Sequence, residues 1–210
     1  MTIMEKETVR MEGFSDAIFA IAITLLVLDL HVPDAKDFTN STDLVNYLKG
    51  QWPTFLAFTI SFFSIYIMWV NHHKLFKQIY SRNTGITFAN GLILFFVTAV
   101  SYPTSLLARF ITGPSAHIAV AVYTGLFVLI NILYNLLWYM ASRDKALLRP
   151  DITDGAIRKI KMSYLYGFPT YCLAFGLSFK YPTVALIICI ALWIFWALSS
   201  GKIDIDSKEI

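Results

Sequence analysis

The sequence predicts an all-α integral membrane protein. Of 210 residues, 57% are hydrophobic and only 15% are charged, well below the ~25% charged share of an ordinary soluble domain. Mean hydropathy is +0.60, so there are too few polar side chains to clothe a soluble fold of this size. The apolar residues also fall in long runs, and a hydrocarbon core about 30 Å thick takes roughly 20 helical residues to cross. Strands with unpaired backbone groups cannot cross lipid, so the crossing segments are helices. These observations argue against a soluble enzyme, a disordered chain and a coiled coil.

Six spans are expected, at residues 14–33, 52–71, 84–109, 117–141, 162–179 and 182–200. They form one transmembrane domain over 1–201, followed by a short polar tail at 202–210. Pro33 to Gly50 is polar and reads as an exposed connection. Gly113-Pro114-Ser115 reads as a turn, Ser142 to Lys161 is charged, and Lys180-Tyr181-Pro182 separates the last two spans tightly. Pro103 and Pro169 are expected to kink the third and fifth helices. Asn131 and Asn135 are four apart, the spacing for hydrogen bonds across packed helices. Residues 1–13 are polar, and no cleavable signal peptide is expected. Cys172 and Cys189 sit in apolar runs and read as small buried hydrophobes, not as a disulfide or metal site.

Lysine and arginine placement sets the orientation. With six spans, one side carries Lys6, Arg10, Lys74, Lys77, Arg82, Arg143, Lys145, Arg149, Arg158, Lys159, Lys161, Lys202 and Lys208. The other side carries only Lys36, Lys49, Arg109 and Lys180 of the 17 basic residues. The asymmetry puts both termini in the cytoplasm. Topogenic charge accounts for the basic loops more simply than a nucleic-acid patch does, so no nucleic-acid partner is expected.

The first span is unusual. Its uninterrupted apolar core, Ala17 to Leu28, is only 12 residues long, and Ser15, Asp16, Asp29 and His31 flank it. A lipid-facing helix would not keep carboxylates so close to its apolar core. On a helical wheel, Arg10, Phe14, Ala17, Thr24 and Leu28 fall within about 60° of Ile21, whereas Ser15 and Asp16 lie roughly 120–140° away. One stripe is therefore apolar, and the opposite side calls for polar partners inside the protein. Ser15 and Asp16 also suit a helix N-terminus, so simple capping stands beside a wider packing network. Candidate partners are visible on the same side of the membrane. Trp69 and His73 share a face near the end of the second span, and Asn90 lies early in the third. Adjacent histidines on a helix diverge by about 100°, which disfavours joint metal chelation by His72 and His73.

The stretch Arg10-x-x-x-Phe14-Ser15-Asp16 at the start of the first helix resembles the RxxxFSD signature of the lysosomal/endosomal potassium channel family, also called transmembrane protein 175. The length and six-span pattern resemble its prokaryotic single-repeat members, and Trp69, His73 and Asn90 resemble family positions. The resemblance implies a potassium-permeable cation channel, in which four identical subunits surround a pore lined by the first helix. It places the constriction five, eight and twelve residues after the motif aspartate, at Ile21, Thr24 and Leu28. It assigns Arg10, Phe14, Ser15 and Asp16, with Trp69, His73 and Asn90, to the support of the pore helix. It also implies the plasma membrane of a prokaryote, potassium and other monovalent cations as permeant partners, and no cofactor. The TVGYG filter sequence does not occur in the chain.

The physics agrees with that carry-over. A narrow throat lined by Ile and Leu excludes water and gates by dewetting. A ring of Thr24 hydroxyls can offset part of an ion's desolvation cost. Asp34, Asp37 and Asp43 can concentrate cations at the outer mouth, or can simply be solvated. The alternative class is a secondary transporter, which calls for discontinuous helices or a charged site near the midplane. An enzyme is not expected, because no nucleophile–base or HExxH pattern is present.

Overall fold

The computed structural model describes residues 6–205, with side chains described as far as Leu198. Its α-helices are α1 (Val9–Leu25), α2 (Ser41–Gly50), α3 (Trp52–Phe76), α4 (Thr84–Thr98), α5 (Ser101–Phe110), α6 (Ala116–Ser142), α7 (Asp154–Ser178) and α8 (Pro182–Ile205). Four helical stretches are long and apolar enough to cross a membrane: Val9–Asp29, Trp52–Phe76, Thr84–Phe110 and Ala116–Ser142. α8 adds a shorter apolar run, Pro182–Leu198. α7 has the length, but Asp154, Arg158, Lys159 and Lys161 in its first turns, and the tyrosines and glycines along it, make it less apolar than these four.

Helix limits follow local chemistry. Asn83 caps α4 by accepting from Ile86 N–H at 2.9 Å, and Thr153 caps α7 by accepting from Ala156 N–H at 3.2 Å. Such caps satisfy first-turn N–H groups that have no intrahelical acceptor. Pro53 and Pro182 sit at the starts of α3 and α8, where a missing N–H costs nothing.

The structure keeps Thr84–Phe110 as one stretch long and apolar enough to cross, but differs from the expected spans in several limits and in local geometry. The first span does not run to residue 33. α1 ends at Leu25 and tightens into a 3-10 turn at Leu26–Asp29, ahead of the polar Asp29 and His31 and of Pro33. The stretch 84–109 is two helices, with a break at Ala99–Val100. Pro103 lacks the N–H that would continue the ladder, and its ring disfavours helical geometry just upstream. The connection 33–50 holds the exposed helix α2, capped by Asn40, which accepts from Asp43 N–H at 3.0 Å. α7 begins at Asp154, eight residues before the expected limit, because the Thr153 cap is there. Pro169 lies inside an unbroken α7. Of the expected tail, residues 206–210 lie outside the described residues.

α6 is the central strut. It packs on α7, α4, α5 and α8, while α1 lies against α3 and α4. Hydroxyls stitch the core where no water competes. Thr104 Oγ1 donates to Ser61 Oγ at 2.6 Å, and Ser61 and Ser64 approach the buried Tyr123 hydroxyl at 3.3 and 3.5 Å. Tyr134 O–H donates to Met68 O at 2.8 Å. Asn135 Nδ2 donates to Tyr164 O at 3.2 Å, which crosses from α6 to α7.

The α6–α7–α8 junction requires a glycine. A Cβ on Gly167 would stand 2.8 Å from the Trp196 ring and 3.0 Å from Asn131 Nδ2. By contrast, nothing lies within 4 Å of a Cβ placed at Gly176. Gly167→Ala should lower stability by about 1–3 kcal/mol through overpacking. Gly176→Ala should leave stability unchanged or slightly raised. Thermal unfolding of the two variants in the same detergent checks the contrast.

Candidate functional site

The site is built on α1. Its buried residues are Ser15, Phe19 and Ala22, continued by Leu26 in the 3-10 turn. They repeat every three or four positions and make one narrow stripe against α3 and α4. Met11, Ile18 and Ile23 flank this stripe half-buried, and the opposite side of the helix is uncovered within the chain. Only 28% of the apolar window in Val9–Asp29 is buried, against 50% in Ala116–Ser142. Phe14 is 62% exposed, Ile21 54% and Leu28 68%, and Ala17 and Thr24 are exposed with them. This second stripe is the one the wheel drew around Ile21.

On the buried side, polar groups satisfy one another in series. Ser15 is fully buried. Its hydroxyl donates to Met11 O at 2.8 Å and accepts from Asn90 Nδ2 at 3.0 Å. The Asn90 amide therefore turns its Oδ1 the other way, where it accepts from His72 Nε2–H at 2.7 Å. His72 is 1% exposed. Its ring lies between Phe76, with centroids 4.5 Å apart, and Phe19 on α1, at 5.2 Å. One turn away, Trp69 Nε1–H donates to Asp16 Oδ1 at 2.8 Å. A donor to a carboxylate forms a stronger bond than a neutral pair. α1 is thus held by a neutral relay at Ser15 and a charged bond at Asp16.

The other residues singled out in the sequence lie outside this relay. His73 stacks on Trp69, with centroids 6.1 Å apart and rings 26° from parallel. Arg10 is exposed, with no hydrogen bond or ion pair among the described residues. The Thr24 hydroxyl donates to Ile21 O at 2.9 Å, which leaves its lone pairs outward.

Two contributors were missed. His72 is adjacent to the named His73, and its mark in the sequence is its register with the apolar Met68 and Leu75. Ser105 on α5 donates to Asp29 Oδ2 at 2.7 Å and holds the far end of the span. No sequence signal distinguishes that serine from its neighbours. In the connection between α1 and α3, Asp34 accepts from Lys36 N–H and Asp43 from Thr39 Oγ1, so both carboxylates serve local turns. Among the described residues, no group of three or more His, Cys, Asp or Glu is placed to hold a metal ion.

Comparison with known proteins is consistent across sequence and structure. The family model described as endosomal/lysosomal potassium channel TMEM175 matches residues 10–100. A protein of Chamaesiphon minutus named as a potassium channel is 41% identical, over 94% of this chain and 97% of the relative. A similarly named protein of Streptomyces collinus is 38% identical over 82% and 83%. The crystal structure of a lysosomal potassium-selective channel TMEM175 homolog from Chamaesiphon minutus superposes with a TM-score of 0.83. It is 41% identical, with 93% of this chain and 99% of that one covered.

The Trp69–Asp16 bond has a measurable signature. Trp69→Phe keeps an aromatic side chain, loses the pyrrole ring with its N–H donor, and should cost about 1.5–3 kcal/mol, as for a bond to a charged group. Asp16→Ala should cost a similar amount, and the double variant little more than either alone. A double-mutant cycle read by thermal unfolding measures the coupling, and simple additivity would exclude the bond.

Proposed function

The chain belongs to the endosomal/lysosomal potassium channel family, TMEM175, and from that membership and the site's geometry we propose a potassium channel whose pore is lined by α1 from each of four identical subunits. The observation that carries this reading is the division of α1 into two stripes. One stripe is locked into the protomer through Ser15, Phe19, Ala22 and Leu26. The other, with Ile21, Thr24 and Leu28, has no partner within the protomer and follows the axis of the span. A closed ring of copies gives that stripe a common centre.

In this reading, Ile21 and Leu28 form apolar rings and Thr24 a hydroxyl ring between them. Apolar rings of small radius expel water, and an ion then meets a desolvation barrier that falls as the ring widens. Thr24 lowers that barrier locally. Its proton is committed to the Ile21 carbonyl, so the oxygen offers lone pairs and no competing positive end to a passing cation. Potassium loses its hydration shell more readily than sodium, which favours it at a tight throat without a TVGYG filter. Ser15 and Asp16, with Trp69, His72 and Asn90, hold the helix in place, His73 supports Trp69 by stacking, and Phe14 stands on the outward stripe with Ile21. Arg10 and the other basic loop residues set both termini in the cytoplasm, and α1, α3, α4–α5, α6, α7 and α8 make six crossings. The span limits and charges fit a multi-pass protein of a prokaryotic plasma membrane.

Reconstituted protein under a potassium/sodium bi-ionic gradient should give discrete current steps that reverse toward the potassium equilibrium potential. Smooth, saturating flux without steps would identify a carrier instead. Ile21→Asn should wet the throat and raise leak by about tenfold or more, equivalent to ~1.4 kcal/mol off the barrier. Unchanged conductance and selectivity in that variant would remove Ile21 from the constriction.

A further inference from the structure

The N-terminal end of α1 is tied to two links between helices by bonds outside the site described above. Glu7 N–H donates to Tyr80 O at 3.0 Å. Tyr80 N–H and Ser81 N–H donate to Leu147 O at 2.8 and 3.1 Å, and Arg149 N–H returns to Gln78 O at 2.9 Å. Ile79 and Leu148 form an antiparallel bridge, and both side chains are buried. The segment before α1, the α3–α4 link and the α6–α7 link therefore form one small hydrogen-bonded junction.

Thr8 fastens this junction to α1. It is the N-cap residue, and a threonine there ordinarily accepts from a first-turn N–H. This one makes no such capping bond. It is fully buried, and its hydroxyl instead faces Ile79 O at 3.2 Å and the Glu12 carboxylate at 2.5 Å. Lys6 Nζ meets the same carboxylate at 2.6 Å. The Thr8 hydroxyl therefore stands between the first turn of α1, at Glu12, and the α3–α4 link, at Ile79 O, while the Glu7 N–H bond to Tyr80 O ties the start of the helix to that link. The α6–α7 link is braced at its other edge by ion pairs of Lys145 with Asp154 and Arg149 with Asp151.

We propose that this junction transmits displacement of the α6–α7 link to the N-terminal end of α1, and thereby sets how often the pore opens. The coupling rests on the bonds above, and the effect on opening rests on α1 being the pore helix. α1 packs chiefly on α3 and α4, so the junction gives the α6–α7 link a direct route to it. Each step in that route is a backbone bond or a buried side chain, with no long flexible side chain between, which is the kind of contiguous path that carries coupling.

The test uses the full-length protein in lipid nanodiscs. Arg149→Pro deletes the N–H that holds Gln78 O, and Arg149→Gln removes only the ion pair with Asp151. Thr8→Val deletes the hydroxyl at nearly constant volume. Arg149→Pro and Thr8→Val should each speed hydrogen exchange at the Glu7 and Glu12 amides by about tenfold, and Arg149→Gln should not. Single-channel recording should show open probability shifted by about threefold or more in the same two variants. Unit current and reversal potential should stay unchanged, since Ile21, Thr24 and Leu28 are untouched. Unchanged exchange in Arg149→Pro, or an equal effect from Arg149→Gln, overturns the coupling. Should Arg149→Pro fail to fold, unchanged exchange in Thr8→Val overturns it. Altered exchange with unaltered open probability overturns the role in opening. A wild-type protein that passes no current fails the channel reading and the role in opening together, while exchange still decides the coupling.

Discussion

A hydroxyl, a carboxamide and an imidazole buried away from water must satisfy one another, and that requirement fixes where α1 stands. Ser15, Asn90 and His72 come from three helices, and each is nearly sealed from solvent. An unpaired polar group in a dry interior costs several times what a made hydrogen bond contributes. Rotating α1 by one residue would turn Ser15 away from Asn90 and leave Asn90 Nδ2 without its acceptor, while the serine kept only its bond to Met11 O. Apolar packing alone would not enforce this register, because lipid tails are as apolar as the helices they surround. The relay therefore decides which face of α1 stays outward, and with it the alignment of Ile21, Thr24 and Leu28.

The same contrast divides the protomer into a stiff part and a loosely covered one. α3, α5 and α6 share the Ser61, Thr104 and Tyr123 hydroxyls in a fully buried cluster, while α1 has the smallest buried share of the four longest apolar stretches. Elements that move in function come from the sparsely packed end of a structure. α1 has few apolar contacts to break and specific polar ones to guide it, which in the proposed channel would let it shift without losing its register.

The membrane class and most helix positions were legible because both are written in side-chain chemistry along one segment. The two stripes of α1 were legible for the same reason, since a wheel needs only helical spacing. Trp69 and Asn90 were legible as polar residues placed near the polar start of α1. The choice between His72 and His73 was not, because it depends on which face of α3 meets α1 and α4, and neighbouring residues differ by about 100°. The Ser105 bond to Asp29 was hidden because a serine is unremarkable in a helix. The junction at Tyr80 and Leu147 was hidden more completely, since backbone bonds between loops leave no side-chain signature. The break at Ala99–Val100 had its cause in plain view at Pro103, but a proline signals a kink and an interruption in the same way.

The two ends of α1 constrain how a gate on it can work. Near its start, Ser15 and Asp16 are bound to Asn90 and Trp69. At its far end, Asp29 is bound to Ser105 through the 3-10 turn. Ile21 and Thr24 lie between these anchors. A helix held at both ends cannot slide along its axis without breaking charged or buried bonds, but it can bow or turn slightly between them. Side-chain tips stand about 5–6 Å from a helix axis, so a turn of roughly 20° carries a tip about 2 Å sideways. In the proposed ring of four copies, that displacement is comparable to a water molecule's radius, which is the scale on which an apolar throat changes between wet and dry. In the proposed channel the anchors would thus not oppose gating at Ile21, and would confine the helix to the turning motion that widens or narrows the throat.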